Sequence, residues 1–256
     1  MTLNEEIHNW LEKQGYLLEM RTSAAFREAG FEVRQSSHYL DSETSEGKEI
    51  NMIAIDPDIL GAIKIQFVIE CKATQKPWVL LSSLDTVMGY NRYFAYGVLS
   101  EKTLEAYIKR GVELMDNLPW LQKEGLIGYS LREAFGDSKD IAYSVGKNIA
   151  NACEFIVRPP NEKYIAPYII VFPIIVVNTP LFECSLQNDG SLKLEEIDKG
   201  EFLFPSYKPK SFGACIRVIT EKYLQAFAKE AKTSAEKIRE TFKLEEREFL
   251  KSLSKR

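Results

Sequence analysis

Residues 48–73 read KEINMIAIDPDILGAIKIQFVIECKA, and this stretch decides the fold. It holds two apolar-rich segments, residues 48–55 and 64–73, which are separated by DPDILGA. Asp, Pro and Gly are typical turn residues, and both segments have the length and composition of strands. The stretch therefore predicts a β-hairpin whose turn is centred near residues 59–60, with Asp58 as a turn residue.

Helical and strand patterns surround this hairpin on both sides. Apolar residues at helical spacing predict helices over residues 3–14, 16–29, 100–115, 138–154 and 220–254. Alternating or continuous apolar runs predict further strands over residues 31–40, 167–177, 181–186, 191–197, 201–204 and 214–219. The order of helix, strand, hairpin, helix and strand is typical of an α/β fold with a mixed central sheet flanked by helices.

The predicted elements divide the chain into a core and an extension. We expect residues 1–178 to form the core, interrupted by an aromatic-rich insertion at about residues 74–138. Residues 179–256 then form a β extension and a long terminal helix that pack on the same domain. The sequence shows no internal repeat and no low-complexity linker between the two.

The composition excludes several classes of protein. Of the 256 residues, 45% are hydrophobic and 27% are charged, so the chain can bury a large core and is not disordered as a whole. The formal net charge of −4 argues against a protein that coats nucleic acid with its entire surface, so a nucleic-acid interface would be local. The four cysteines have no C-x-x-C spacing, which argues against a zinc knuckle or a disulfide framework.

Targeting and cofactor motifs are also missing from the sequence. Residues 1–16 are amphipathic and acidic, unlike a secretory signal, and the apolar run over residues 164–177 is too short for a membrane span and contains prolines. We therefore expect a cytoplasmic protein without a membrane partner. The sequence has neither a phosphate-binding loop nor a Gly-rich dinucleotide fingerprint, so no nucleotide cofactor is expected.

The clearest chemical signal is the triplet Glu70-Cys71-Lys72 at the end of the second hairpin strand. Side chains two positions apart on a strand project from the same face, so this carboxylate and this ammonium group meet. The chain has three more such triplets, but those lie in polar loops or on a charged helix. Only Glu70 and Lys72 are framed by core residues, where charges are typically paired, bound to metal or placed at a cleft. An ordinary ion pair between strands is the alternative.

The motifs around this triplet resemble those of a known family. A helix with Glu19, the segments Gly30-Phe-Glu-Val33 and Tyr39-Leu-Asp41, and the two hairpin strands are similar to the core of the PD-(D/E)XK, or restriction-endonuclease-like, nuclease superfamily. The resemblance covers residues 15–75. It implies an αβββαβ core with a mixed central sheet, with which the predicted helix and strand over residues 138–177 are compatible.

The resemblance also implies a metal-dependent mechanism and a set of site residues. Glu70 would hold a divalent ion, Mg²⁺ or Mn²⁺. Lys72 would support the attacking water and the charge on the phosphate, and Glu19 would be the first-helix glutamate that some members use. Oxygen ligands suit Mg²⁺, which keeps several waters and binds substrate phosphate as well. The strand position that holds Asp in the family is Asn51 here, a neutral amide with one ligand oxygen and no charge.

Asn51 leaves three explanations open. The site can be naturally degenerate, the residue can be an engineered inactivating substitution, or the second acid of an active site can be Asp41 or Glu49. The resemblance implies a metal-dependent nuclease that hydrolyses phosphodiester bonds in DNA, in the context of prokaryotic defence against foreign DNA. The alternative is a catalytically degenerate domain that keeps the scaffold to bind nucleic acid or protein.

Residues after the triplet are candidates for contact with nucleic acid. Lys76, Trp78 and Arg92 belong to an aromatic and basic cluster that would suit stacking on bases, although a core or a subunit interface is the interpretation we favour. The apolar stripe on the terminal helix suits packing on the core or dimerisation. The resemblance implies DNA as the partner, with a homodimer or a larger defence complex as further expectations.

Overall fold

The computed structural model describes residues 2–41, 46–89, 92–118, 120, 126–136, 141–158, 166–205 and 213–253. Within these ranges, only the backbone is described at residues 87–89, 92–93, 111–112 and 114–117. The described helices are α1 (Leu3–Lys13), α2 (Tyr16–Glu28), α3 (Arg92–Ala95), α4 (Glu101–Asn117), α5 (Ile141–Val157), α6 (Leu224–Thr241) and α7 (Lys243–Leu253). The described strands are β1 (Glu32–Leu40), β2 (Gly47–Ile55), β3 (Ile63–Lys72), β4 (Trp78–Ser83), β5 (Val98–Leu99), β6 (Ile127–Glu133), β7 (Tyr168–Val177), β8 (Leu181–Leu186), β9 (Leu192–Ile197), β10 (Lys199–Phe204) and β11 (Ala214–Thr220).

All the described strands belong to one mixed sheet. Its order is β1-β2-β3-β7-β11-β10-β6-β4-β8-β9, and β5 adds a short pair to β7. β1, β2 and β3 pair antiparallel, whereas β3 pairs with β7, and β7 with β11, in parallel. β7 is apolar and buried along almost its whole length, which is the composition expected of a central strand covered on both faces.

Helices cover both faces of the sheet. On one face, α2, α4 and α6 pack against a cluster that includes Phe67 and Phe227. On the other face, α5 packs against a cluster that includes Val68 and Ile175. Phe67 and Val68 are neighbours on β3 and belong to different clusters, as the alternation of side chains along a strand requires. The predicted α/β class, with a mixed sheet flanked by helices, is confirmed. We call the two sides of the sheet the α2 face and the α5 face.

The hairpin that the sequence predicts is present. β2 and β3 pair antiparallel, with Met52 opposite Ile69. Asp58 is a turn residue, as predicted, because its two carboxylate oxygens accept hydrogen bonds from the backbone N–H groups of Leu60 (3.1 Å) and Ile63 (2.8 Å). The turn is therefore fixed by a local side-chain cap.

The segment predicted to be an insertion differs most from expectation. The sequence predicts one helix within residues 74–138, and the structure has α4 there, but it also has β4 and β6. These two strands pair antiparallel with each other and lie in the sheet between β10 and β8. The predicted β extension continues the same sheet, because β8 pairs with β4 and β10 pairs with β6.

The long helix predicted over residues 220–254 is two helices in the structure. α6 and α7 are separated by Phe242, whose backbone is not helical (φ −93°, ψ 10°) and whose side chain is fully buried on the α2 face. The apolar stripe of α6, which includes Phe227 and Ile238, packs on the core of its own chain. No helix within the described ranges has the length and apolar character needed to cross a membrane.

Candidate active site at the end of β3

Glu70 and Lys72 lie at the end of a central strand. β3 has β2 on one side and β7 on the other, and its residues are mostly buried up to this point. The side chain of Glu70 is 17% exposed and that of Lys72 is 31% exposed. Lys72 Nζ is 2.7 Å from Glu70 Oε1. The structure therefore brings these residues together, in an ion pair at the rim of the core.

The turn between α1 and α2 holds α2 against this end of β3. Gly15 has a φ of 85°, a left-handed conformation that glycine adopts without strain. A Cβ at this position would lie 3.1 Å from the Cβ of Ala73, so turn and strand approach closely. On α2, Thr22 Oγ1 accepts a hydrogen bond from the Cys71 thiol (3.6 Å). These contacts hold Glu19, which lies between Gly15 and Thr22, beside the triplet.

The alternation of side chains along β2 is broken near its middle. Met52 and Ala54 belong to the α2 face and Ile53 to the α5 face, as alternation requires, but Ile50 also belongs to the α5 face. On β1, Ser36 lies level with the break and has a φ of 50°, which is uncommon for a residue other than glycine. The pairing register is the same on both sides of the break, so β2 rotates without slipping along β1.

The rotation turns Glu49 toward the α2 face, since its neighbour Ile50 faces α5. Burial raises the pKa of Glu19, the carboxylates of Glu49 and Glu70 raise it further, and Lys72 lowers it. The charges of Glu49, Glu70 and Lys72 therefore all act on Glu19 at this end of the hairpin. We call Glu19, Glu49, Glu70 and Lys72 the acid cluster. The sequence names all four residues as site candidates, but it contains no signal for the rotation that turns Glu49.

Asn51, where the resemblance expects an aspartate, lies at the break and contacts β3. Its side-chain oxygen Oδ1 accepts a hydrogen bond from the backbone N–H of Cys71, at 3.0 Å. Cys71 lies between Glu70 and Lys72, so Asn51 is next to the acid cluster. Its acceptor oxygen is engaged by the backbone, which is a structural role that a carboxylate oxygen could also fill.

Asp41 belongs to a neighbouring group of polar side chains on the α5 face. It is buried, and its Oδ2 is 2.6 Å from Lys48 Nζ. Lys48 Nζ also donates to Asn148 Oδ1 on α5 (3.4 Å), and the Tyr39 hydroxyl donates to the Asn148 carbonyl (3.1 Å). Burial raises the pKa of Tyr39, with further contributions from Asp41 and Glu70. Asp41 is thus balanced by Lys48, a pairing that no motif in the sequence indicates.

The turn end of the hairpin holds two other carboxylates, which have their own cations. Asp56 is 2% exposed; its Oδ1 is 2.6 Å from Lys232 Nζ, and its Oδ2 contacts Arg239 Nε. Asp58 Oδ1 is 3.5 Å from Arg239 Nη1. Both cations come from α6. The literal "PD" of the sequence, Pro57-Asp58, therefore belongs to an anchor for α6, far along the strand from Glu70.

The candidates for nucleic-acid contact have different environments. Trp78 has no exposed surface and packs on the α5 face, where its indole N–H donates to Thr74 Oγ1 (3.3 Å). A buried indole is not available to stack on a base, so Trp78 is a core residue and not a contact for nucleic acid. Lys76 Nζ donates to the carbonyl of Phe135 (2.8 Å). Arg92 begins α3, and its side chain lies outside the described part of the structure.

The carboxylate oxygens of the acid cluster suit a divalent ion that takes only one or two ligands from the protein. In the part of the chain that the structure describes, no three His, Cys, Asp or Glu side chains are arranged to hold a metal ion by themselves. Mg²⁺ commonly takes one or two carboxylates and completes its shell with water and substrate phosphate. Glu70 and Glu19 are carboxylates of this kind, and a cation between them would relieve the repulsion that raises the pKa of Glu19.

Comparison of the chain with models of known protein families, with curated proteins and with solved structures finds no match. Similarity therefore assigns neither a family nor an activity to the chain. Its function has to be inferred from the acid cluster and from the elements that hold it.

Proposed function

We propose that the chain is a metal-dependent nuclease that hydrolyses phosphodiester bonds in DNA. The proposal is carried by the acid cluster, in which Glu70 and Lys72 meet at 2.7 Å and act on the carboxyl group of Glu19 together with Glu49. Ion pairs that serve stability alone tend to be balanced in charge, whereas this cluster has three acids and one base. An excess of acid at the rim of a core works against folding and is typical of a site that binds a cation.

The order of elements around the cluster supports the same proposal. α2, β1, β2 and β3 are followed, after the inserted strands, by α5 and β7. This is the αβββαβ order that the resemblance to restriction-endonuclease-like nucleases implies. β3 and β7 are parallel, so they end at the same edge of the sheet, with Val177 beside Lys72. The remaining strands extend the sheet beyond this core.

The residues of the cluster divide the chemistry between them. Glu70 and Glu19 offer the carboxylate oxygens for a divalent ion, Mg²⁺ or Mn²⁺. Such an ion, when bound, supplies positive charge beside the phosphate and lowers the pKa of water. Lys72 holds its ammonium group next to Glu70, where it stabilises the negative charge that grows on the phosphate during attack. Glu49 adds negative potential that favours a cation at this place.

The neutral side chain of Asn51 supports a second candidate function, in which the chain binds nucleic acid or protein without catalysis. Its oxygen accepts the Cys71 N–H bond and carries no charge, so the site has one carboxylate fewer than the family pattern. An Asn51→Asp variant keeps an acceptor for Cys71 and adds a charge beside Glu70. We expect this variant to bind Mg²⁺ roughly tenfold more tightly than the wild type, because affinity of an oxygen site rises with its ligand charge. Calorimetric titration with Mg²⁺ measures the difference.

Cleavage assays with plasmid and single-stranded DNA test the first function. The wild type is incubated with Mg²⁺ or Mn²⁺ beside Glu70→Ala and Lys72→Ala, and we expect each substitution to lower the cleavage rate by roughly 100-fold. β9 offers a matched control, because Lys193 and Glu195 also lie two positions apart on a strand, with Nζ 2.9 Å from Oε2. Lys193→Ala and Glu195→Ala are expected to keep the wild-type rate.

The outcomes separate the two functions. Cleavage that survives both Glu70→Ala and Lys72→Ala excludes the acid cluster as its source. Absence of cleavage in the wild type, followed by its appearance in Asn51→Asp, identifies a degenerate nuclease site. Absence of cleavage in both proteins, together with tight binding of DNA or of a protein partner, supports the binding function.

A further inference from the structure

A cleft of about 640 Å³ opens on the α5 face of β1, β2 and β3, next to the last turn of α5. Its floor includes Ile53, Ile55 and Gln66, and its wall includes Phe155 and Ile156. None of the described residues that line it belongs to the acid cluster. Half of the described lining residues are polar or charged and half are apolar, and a volume of several hundred Å³ is the size of a small-molecule site.

Two cations line this cleft without forming an ion pair to any of the described residues. Arg34 on β1 and Lys64 on β3 line the cleft, and over the described residues neither forms an ion pair. Asp56 and Asp58, at the turn end of the cleft, are already paired with cations of α6. Glu32, two positions before Arg34 on the edge strand β1, is exposed and also lines the cleft, but no ion pair joins it to Arg34 within the described residues. Burial lowers the pKa of Lys64, and the nearby charge of Arg34 lowers it further. Against the single carboxylate of Glu32, these two cations leave an excess of positive charge for an anion in the cleft.

The floor of the cleft also holds a polar atom without a partner. Gln66 is 3% exposed, and its Oε1 accepts no hydrogen bond from any described group. Buried polar atoms are nearly always bonded, because an unpaired one destabilises the fold. The terminal torsion of glutamine is soft, so this oxygen can turn toward a donor that enters the cleft. The floor therefore suits a ligand with an N–H group.

We propose that this cleft binds a nucleoside monophosphate. The phosphate would pair with Arg34 and Lys64, the base would lie on Ile53 against Phe155, and an N–H group of the base would donate to Gln66 Oε1. Every nucleobase carries an amino group or, in uracil and thymine, a ring N–H, and a single phosphate held by two side-chain cations needs no phosphate-binding loop. The site uses residues outside the acid cluster, so it does not depend on the proposed nuclease activity.

Calorimetric titration of the full chain in the presence of EDTA tests this site. The nucleoside monophosphates are titrated one at a time, beside three probes that each lack one feature. Inorganic phosphate lacks the apolar body, a nucleoside lacks the anion, and phenyl phosphate lacks the N–H donor. We expect at least one nucleoside monophosphate to bind with a Kd below about 1 mM, and each of the three probes to bind roughly tenfold more weakly.

Variants of the cleft locate the bound ligand. Lys64→Met and Gln66→Leu are each expected to raise the Kd roughly tenfold. Gln66→Leu removes the unpaired oxygen at nearly constant volume, so we expect it to fold as the wild type does, which far-UV circular dichroism checks. Lys229→Met replaces an exposed lysine on α6 and is the matched control, with an unchanged Kd. Glu70→Gln is expected to leave the Kd unchanged as well.

Three results would overturn the proposal. The first is that no nucleoside monophosphate binds with a Kd below about 1 mM. The second is an equal Kd in the wild type, Lys64→Met and Gln66→Leu. The third is loss of binding in Glu70→Gln alone, which would move the ligand to the acid cluster. DNA cleavage is measured in separate samples that contain metal, so failure of the nuclease proposal leaves this result intact.

Discussion

The two ends of the β2–β3 hairpin both carry carboxylates and cations, but in different proportions. At the turn end, Asp56 and Asp58 meet Lys232 and Arg239, so acids and bases are equal in number. At the open end, the acid cluster has three carboxylates and only the ammonium group of Lys72. Asp56 at the turn end is buried under α6, whereas the acid cluster at the open end is at the rim of the core.

This difference separates charges that hold the fold from charges that are available for binding. A buried carboxylate with two cations has its charge compensated, and removing it is strongly destabilising because the cations lose their partner. Carboxylates that reach solvent and crowd a neighbouring acid contribute little to stability and gain from a cation. Replacements at the two ends, and at the turn that holds α2 beside the open end, test how each part contributes, beginning with the largest effect.

Replacing Asp56 should cost more stability than any change in the acid cluster. Asp56→Ala leaves Lys232 without its acid and Arg239 with Asp58 as the remaining one, and we expect the free energy of unfolding to fall by about 3 kcal/mol. Glu70→Ala should change it by less than about 1 kcal/mol, because the side chains of the Glu70–Lys72 pair reach solvent. Urea denaturation of the two variants measures both values. Equal losses would contradict the distinction between the two ends.

The next largest loss of stability should come from substitutions that disturb the close approach of α2 to β3. Gly15 and Gly190 both have a left-handed φ, of 85° and 82°, but only Gly15 has a neighbour, Ala73, within 4 Å of an added Cβ. We expect Gly190→Ala to lower the free energy of unfolding by about 1 kcal/mol and Gly15→Ala by about 2 kcal/mol. Denaturation curves for the pair give the comparison. Equal losses would show that the turn at Gly15 can move away from the strand.

Divalent cations should stabilise the protein through the acid cluster. If 10 mM Mg²⁺ is about ten times its Kd, binding adds about 1.4 kcal/mol to the free energy of unfolding, which raises the Tm by about 3 °C. The shift should disappear in Glu70→Ala and persist in Glu195→Ala. Differential scanning calorimetry at constant ionic strength measures it. A shift of the same size in Glu70→Ala would exclude the acid cluster as the binding site.

The smallest effect should come from the ionisation of Glu19. Because the folded state raises its pKa above 4.5, the folded chain holds a proton that the unfolded chain releases, and stability falls as the pH rises through the folded pKa. Glu19→Gln stays neutral, so it should be more stable than the wild type at pH 7 and equal to it near pH 4. Denaturation at both pH values tests the sign. The control Glu196→Gln, on the exposed strand β9, should be as stable as the wild type at both pH values.

Local patterns predict the hairpin and the central pair of the acid cluster. The period of two along β3 depends only on neighbouring residues, so it places Glu70 and Lys72 on one face and Cys71 on the other. The capping of the turn by Asp58 is also local. These features are visible in the sequence because each is decided within a few residues.

Contacts between distant residues decide what the sequence does not predict. Lys232 and Arg239, the cations of Asp56, are 176 and 183 positions away from it. The rotation of β2 that turns Glu49 toward α2 occurs level with Ser36, whose left-handed φ is not marked by a glycine. α6 ends before Phe242, which is buried in the core. Its ring packs against that of Tyr168, with the ring centroids 6.1 Å apart.

The aromatic segment shows why composition alone does not identify a binding surface. Tyr96 and Trp120 pack on Phe172 of β7, with ring centroids 5.7 and 5.2 Å apart, and Tyr107 stacks on Tyr96 at 5.0 Å. Aromatic rings bury large areas in cores and also stack on nucleic-acid bases. The same residue types therefore predict both roles, and only burial distinguishes them.

The position of β11 has a consequence for the synthesis of the protein. β11 is the last described strand along the chain, yet it lies in the interior of the sheet, between β7 and β10. On a ribosome, the edges of β7 and β10 that meet β11 stay open until residues 214–220 have emerged. Open strand edges are templates for pairing with other chains. The nascent protein is thus exposed to pairing with other chains until β11 has emerged and inserted, and a mutation that slows the insertion of this strand would lower yield without touching the acid cluster.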